Sequence, residues 1–514
     1  MGAISDDEHA LRTDPATHLL TRALPVPNLA ATLILWLGAT QLLLWRFLDI
    51  MPAWAYALAL ILLAGLCRSL LRSKPERTDA PTIATLAFCI AIALILLLLG
   101  GEGRFFYANI DWQVRLAALH DMRVNPWPFI YTARAQPDIL RFPIAMFLMP
   151  ALVGKSLGAR AGDISMLVQN ALLLGTLMAM ASVLFTTHKA RLVALIVLIG
   201  FSGLDALGRL LFRGGLSDHL ENWAYLQYSS TITLAFWVPQ HAFAGWIGAV
   251  GYMLWRKGHL RLGGFLALLP LTALLSPLGL MGAMPFAALA GVRALAARAI
   301  RPLDIGQPAA ALLLALPGLL YLAAAPAGVG MRFVALVPAQ WAIFELLEVL
   351  IYALPLALLT WRHRSAEIDM LVLLTLWLLV VPFVQIGSST DFMMRGSITA
   401  LTLLAIMVAD AIQRPGRTRL WLGLMLLIGG MTGIAEIRRA LAYPPAPDVR
   451  CSVFKAWDQS FSSFPKDSYV APLAQMPALV RPAHPAKVSA AEPTRCWDGP
   501  WHHPDKPDPP GSDR

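Results

Sequence analysis

Long apolar runs recur along almost the whole chain, separated by short polar connections, and no other feature limits the fold so strongly. At 1.5 Å per residue, a helix of about 20 such residues crosses a bilayer core of about 30 Å. Runs are read at 29–48, 52–71, 82–100, 164–187, 192–210, 232–255, 262–275, 278–292, 308–326, 340–360, 369–386, 397–413 and 419–434, about thirteen in all. The chain is 57% hydrophobic and 14% charged, where soluble proteins carry about a quarter charged residues. The expected fold class is an all-α polytopic membrane protein.

Orientation follows from Lys and Arg, which short cytoplasmic loops retain. Arg68, Arg72, Lys74 and Arg77 begin a ladder of alternate basic loops. It continues through Lys189 and Arg191, Arg256 to Arg261, Arg293 to Arg301, Arg362 and Arg364, and Arg414 to Arg419. Residues 1–28 are therefore expected as a cytoplasmic tail, 29–434 as the transmembrane domain and 435–514 as an external segment. The first apolar run reads as a retained anchor, since mostly polar residues precede it. The net charge of +10 is spread over this ladder, which excludes a nucleic-acid face. Counting 139–158 as a crossing would turn every later basic loop outward. It is expected to lie along the outer surface or dip in, which Pro143 and Pro150 favour.

Residues 101–163 thus form one long external loop, and loops of that length usually have work to do. The proline-rich segment after 434 holds Cys451 and Cys496, for which a disulfide is plausible outside a reducing compartment. Cys67 and Cys89 read as packing residues.

Within the loop, Asp111 stands just beyond an apolar run, where a membrane enzyme would place a base. Trp112, Leu116 and Leu119 repeat at helical spacing, with Asp111 and Arg115 on another side, so an amphipathic helix on the membrane surface is expected. It should stop near Asn125-Pro126, with His120 and Asp121 in its last turns. The bland alternative is that Asp111 only caps this helix and pairs with Arg115.

The run Asp111-Trp112-Gln113-Val114, then Asn125-Pro126-Trp127-Pro128-Phe129-Ile130-Tyr131, then Leu140-Arg141-Phe142-Pro143 with Leu148-Met149-Pro150, resembles the first external loop of GT-C glycosyltransferases. The likeness is to the type that transfers mannose from a dolichyl-phosphate donor. It implies a GT-C-like helical bundle with surface-lying periplasmic helices, in a bacterial inner membrane with an external C-terminus. It also implies Asp111 as catalytic base, a polyprenyl-phosphate sugar as donor, and a lipid, glycan or protein acceptor among membrane lipids. The leaving phosphate needs positive charge, for which Arg141 and Arg395 are candidates. Two departures stand: the family loop follows the first span rather than the third, and no Asp-Glu pair adjoins Asp111.

Other polar groups carry two readings each. Asp218, His219 and Glu221 fit acceptor contacts, or a capping box from Asp218 to Glu221. Gln240 and His241 follow Pro239 inside a span and either satisfy freed backbone groups or face a cavity. Asp391 either caps a helix and pairs with Arg395, or leaves Arg395 to hold phosphate. Gln113, His120 and Asp121 are further candidate substrate contacts. Glu345 and Glu348, three residues apart within a span, line a donor cavity or carry protons in a secondary transporter or flippase, the alternative function. Asp205 and Arg209 read as an ion pair. The sequence holds no phosphate-binding glycine loop and no dinucleotide fingerprint. His484, His502 and His503 lack metal-site spacing, no cofactor is certain, and a divalent cation is left open.

Overall fold

The computed structural model describes residues 19–217, 219–324, 330–362, 367–387, 390–488, 493–499 and 501, and over them the chain is mostly helical, with six short strands. Helices α1 (Val26–Leu48) and α2 (Ala53–Leu71) form the first hairpin, and α3 (Ile83–Leu99) starts where the Thr82 hydroxyl accepts the Thr85 N–H at 3.2 Å. Then come α4 (Ile110–Val124), strands β1 (Phe129–Tyr131) and β2 (Asp138–Leu140), and the hairpin α5 (Ala145–Leu157) and α6 (Ala159–Ser182). The central bundle adds α7 (His188–Gly200), α8 (Asp205–Arg213), α9 (Thr231–Trp237), α10 (Pro239–Arg256), α11 (Leu262–Leu271), α12 (Pro277–Ala296) and α13 (Pro302–Ala323). After β3 (Met331–Phe333), α14 (Pro338–Glu345) runs through a π turn at Leu346–Leu350 into α15 (Ile351–Arg362). The rest comprises α16 (Ile368–Val380), β4 (Val384–Ile386), α17 (Asp391–Gly396), α18 (Ile398–Ala411), α19 (Arg417–Ala442), α20 (Val453–Ser460), β5 (Val470–Pro472) and β6 (Ala486–Lys487).

Eight segments are long and apolar enough to cross a membrane: Val26–Leu48, Ala53–Leu71, Ala159–Ser182, His188–Arg213, Pro277–Ala296, Pro302–Ala323, Pro338–Arg362 and Arg417–Ala442. The chain is a helical, multi-pass membrane protein. Every apolar run expected from the sequence contains a helix, yet among the described residues these eight alone meet the requirement of length and composition. The run at 232–255 splits at Val238–Pro239 because proline cannot continue the hydrogen-bond ladder of α9. Small residues let helices touch: a Cβ on Gly175 of α6 would lie 2.6 Å from Ile90 Cα of α3.

One expectation for the external loop needs correction. Helix α4 does not lie with one wet face on a membrane surface, because Trp112, Val114, Arg115, Ala117, Ala118 and Met122 are all buried. Helix α5 packs against α1, α4 and α6, with Met146, Phe147 and Leu148 fully covered, in keeping with a segment that dips in. What covers α4 includes the C-terminal segment, which folds back over the loop. Helix α20 packs on α4, and one sheet interleaves both stretches in the order β5-β2-β1-β6. The boundary expected at 435 falls inside α19, and the stretch beyond that helix is half of a module shared with residues 101–144.

Cys451 and Cys496 are disulfide-bonded across 45 residues. Breaking this loop closure, by Cys451→Ser or by reductant, should cost the module about 2–4 kcal/mol. Thermal melts with and without reductant check this, and identical melts would contradict it.

Candidate active site

The start of α4 is clamped to the end of α9. Asn109 Oδ1 accepts the Asp111 N–H at 3.1 Å, so Asn109 caps the helix, not Asp111. Asn109 Nδ2 and Trp112 Nε1 both donate to the Phe236 carbonyl, at 3.0 and 2.8 Å. One turn on, the Arg115 guanidinium donates to the Trp237 carbonyl and, at 2.8 Å, to Asp111 Oδ2. The expected Asp111–Arg115 pair therefore forms, and it is lopsided: the Arg115 side chain is 2% exposed and that of Asp111 26%. Asp111 thus presents a carboxylate with a buried cation behind it and solvent access in front, the placing a proton acceptor needs.

Residues distant in sequence gather around this pair. The charges of Arg395 and Arg115 both act on the His241 ring. Both also act on the Tyr469 hydroxyl, together with Asp111. Burial pushes the Tyr469 phenol up from its usual value, partly offset by Arg115. Arg395 pairs with Asp391 at 2.9 Å, one turn back on α17, and its Nε is buried without a partner. Arg141 stands behind Tyr469, its backbone N–H donating to the Tyr469 carbonyl at 2.7 Å and its Nε to Ala324 O at 2.5 Å. Of the two candidate phosphate binders, Arg395 thus has unspent hydrogen-bonding capacity, while the Nε of Arg141 is committed to a backbone carbonyl.

The remaining sequence candidates fall into separate groups. Gln113 accepts the Ser460 hydroxyl of α20. Asp121 accepts Tyr131 OH at 2.6 Å and the Val453 N–H at 2.9 Å, so its carboxylate ties the C-terminal segment to the loop. His120 Nδ1 lies 3.1 Å from Arg123 Nη2. Gln240 is buried beside His241, whose Nδ1 is 2.9 Å from Ser276 Oγ. Asp218 lies outside the described residues.

His219 sits under the Trp237 ring and 2.9 Å from Glu436 Oε1, while Glu436 Oε2 accepts Trp237 Nε1 at 2.8 Å. The capping-box reading involves Asp218 and so lies outside the described residues, but the Glu221 carboxylate itself is engaged elsewhere. It is fully buried and accepts the Ser230 N–H at 2.8 Å and Gln227 Nε2 at 2.7 Å. Nor do Asp205 and Arg209 pair: Asp205 takes Ser202, Thr432 and Trp223, and Arg209 turns to Asn222. Glu345, Asp205 and Glu221 are all buried, and their charges act on buried Glu348.

Three contributors escape a sequence reading. Arg115 looked like a loose partner, but it is the buried cation of the site. Tyr469 comes from the C-terminal segment and carries no local signal. Glu102 is fully buried, bonded twice by Asn170 Nδ2 at 3.1 and 3.0 Å, and feels the Arg115 charge. Its signal was Gly100-Gly101-Glu102-Gly103, where an acid leaves an apolar run between two glycines of positive φ.

Two loop groups set a pH response. Burial pulls the His219 imidazole down, but the Glu436 carboxylate outweighs it and the net shift is upward. Burial, with the Asp205 charge, pushes Glu221 up to about 7. Both groups bind protons more tightly folded than unfolded, so stability is greatest in acid. It is lost as pH rises, through the window from ordinary glutamate values to about 7 for Glu221 and above about 6.5 for His219. Melting temperatures should fall between about pH 5 and pH 8, with the slope reduced by Glu221→Gln and by His219→Ala. A profile that rises over this range would contradict the assignment.

No protein-family model, no curated protein and no solved structure matches the chain.

Proposed function

We propose that the chain is a membrane glycosyltransferase of the GT-C kind, transferring a sugar from a polyprenyl-phosphate donor to a lipid, glycan or protein acceptor. The observation that carries this reading is the Asp111 carboxylate, partly exposed, backed by buried Arg115 and grouped with Arg395 and Tyr469. Asp111 takes the proton of the acceptor hydroxyl as its oxygen attacks the anomeric carbon. The bond from that carbon to the phosphate oxygen breaks on the opposite face, inverting the centre. The phosphate leaves ionised, so it needs cations rather than an acid, and Arg395 with Arg141 behind it supplies them.

A groove of about 700 Å³ supports a lipid-linked substrate. Its lining is mostly apolar and includes Phe88, Leu96, Leu174, Phe201, Leu234 and Trp246. Leu234 lies one helical turn before Trp237, whose carbonyl holds Arg115. The remaining elements of the reading are thirteen crossings, a cytoplasmic N-terminus and a reaction face in the periplasm of a bacterial inner membrane. They rest on the ladder of basic loops.

The alternative, a secondary transporter or flippase, is favoured by one observation: buried Glu345 and Glu348 have oxygens without hydrogen-bond donors. The test is transfer of radiolabelled sugar from a panel of polyprenyl-phosphate sugars by purified protein in lipid. Turnover supports the transferase. No turnover, together with proton-linked uptake that depends on Glu345 or Glu348, supports the transporter.

A further inference from the structure

A broken helix and a π turn meet at a set of buried acids. Helix α7 ends at Gly200, the chain unwinds over Phe201–Leu204, and helix resumes at Asp205. The π turn lies opposite, its Leu347 carbonyl accepting the Leu204 N–H at 3.1 Å. Glu348 points from that turn into the break. A Cβ on Gly203 would lie 1.7 Å from Glu348 Oε2, so glycine is what leaves room for the carboxyl.

Glu348 is 1% exposed, and neither of its oxygens receives a bond from any N–H or O–H donor. Its neighbour across the break is the Asp205 carboxyl, two residues beyond Gly203, and the two carboxyls act on each other electrostatically. Asp205 in turn accepts Ser202 Oγ at 2.9 Å, Thr432 Oγ1 at 3.0 Å and Trp223 Nε1 at 3.3 Å. The other charges facing the pair are Glu221 and Glu345, the latter bonded by Tyr228 OH at 3.2 Å. Among the described residues, no lysine or arginine is ion-paired with any of the four acids, and the base acting on them is His219, through Glu221.

Two ionised carboxylates are acceptors only and cannot hydrogen-bond each other. Glu348 also lies about 15 Å along its helix from Pro338, deep enough for uncompensated charge to be costly. No three His, Cys, Asp or Glu side chains converge as around a metal ion among the described residues.

We propose that Asp205 and Glu348 form a proton-binding site, one proton shared between their carboxyls, seated between the unwound segment and the π turn. Losing that proton leaves two like charges in contact and drives the two segments apart. The proton reaches water through Glu221 and His219, whose side chain is 13% exposed. This site needs neither sugar nor phosphate and stands apart from the reaction at Asp111.

The test is infrared difference spectroscopy of the full-length protein in lipid, stepping pH across neutrality in H₂O and D₂O. Wild type should show a protonated-carboxyl band at neutral pH that shifts in D₂O and disappears on alkalinisation. Glu348→Gln should remove it while keeping the fold, since the amide mimics a protonated carboxyl, and Glu348→Met should also fold. Absence of the band in wild type, its persistence in Glu348→Gln, or its abolition by sodium at constant pH would each overturn the proposal. So would unfolding of both variants, which would mean that the ionised carboxylate itself is required.

Discussion

Asp111→Asn is expected to transfer sugar about 10²–10⁴-fold more slowly than wild type, the range a positioned general base contributes. The change keeps shape and removes only the charge that accepts the proton. Arg115 would lose its ion pair but keep the Trp237 carbonyl, so the protein should still fold and be inserted. Rates under saturating donor and acceptor, beside a melting curve, separate the two effects. Undiminished transfer would remove Asp111 from the mechanism, and with it the main support for the transferase reading.

The second large effect is expected at Arg395. Its Nε is buried and unpartnered, and its remaining ion pair, with Asp391, is of ordinary length. If that unspent capacity meets the departing phosphate, Arg395→Gln should lower kcat/KM by about 10²–10³-fold, as losing one preorganised donor to developing charge does. Arg395→Lys should recover part of the loss, because a point charge replaces the charge but not the fork. Arg141→Gln should act more through stability, since its Nε serves the Ala324 carbonyl. Equal kinetics in Arg395→Gln and wild type would move the phosphate site elsewhere.

The sequence made the helices legible because the apolar runs are long and the basic loops alternate. It also marked Asp111, Arg395 and His241, which the fold brings near one another across more than a hundred residues. What it hid depends on contacts far apart along the chain. The pairing of β2 with β5, and of Asp121 with the Val453 N–H, leaves no periodic trace in either stretch. The amphipathic pattern of α4 was real, but a second protein layer, not solvent, covers its polar side. Glu221 looked like a surface cap because its neighbours are polar, whereas its burial follows from Ser230 and Gln227 closing around it.

The interleaved sheet has a consequence for how the molecule is made. Residues 101–144 are synthesised long before Tyr469 or strand β5 exists, and domains tend to fold in order of synthesis. The mouth of the candidate site therefore stays unfinished through most of translation. It closes only when the late-made stretch has been delivered to the same side of the bundle and has threaded β5 and β6 onto the two waiting strands. Such an arrangement leaves the candidate site of a nascent chain incomplete until every helix between is in place.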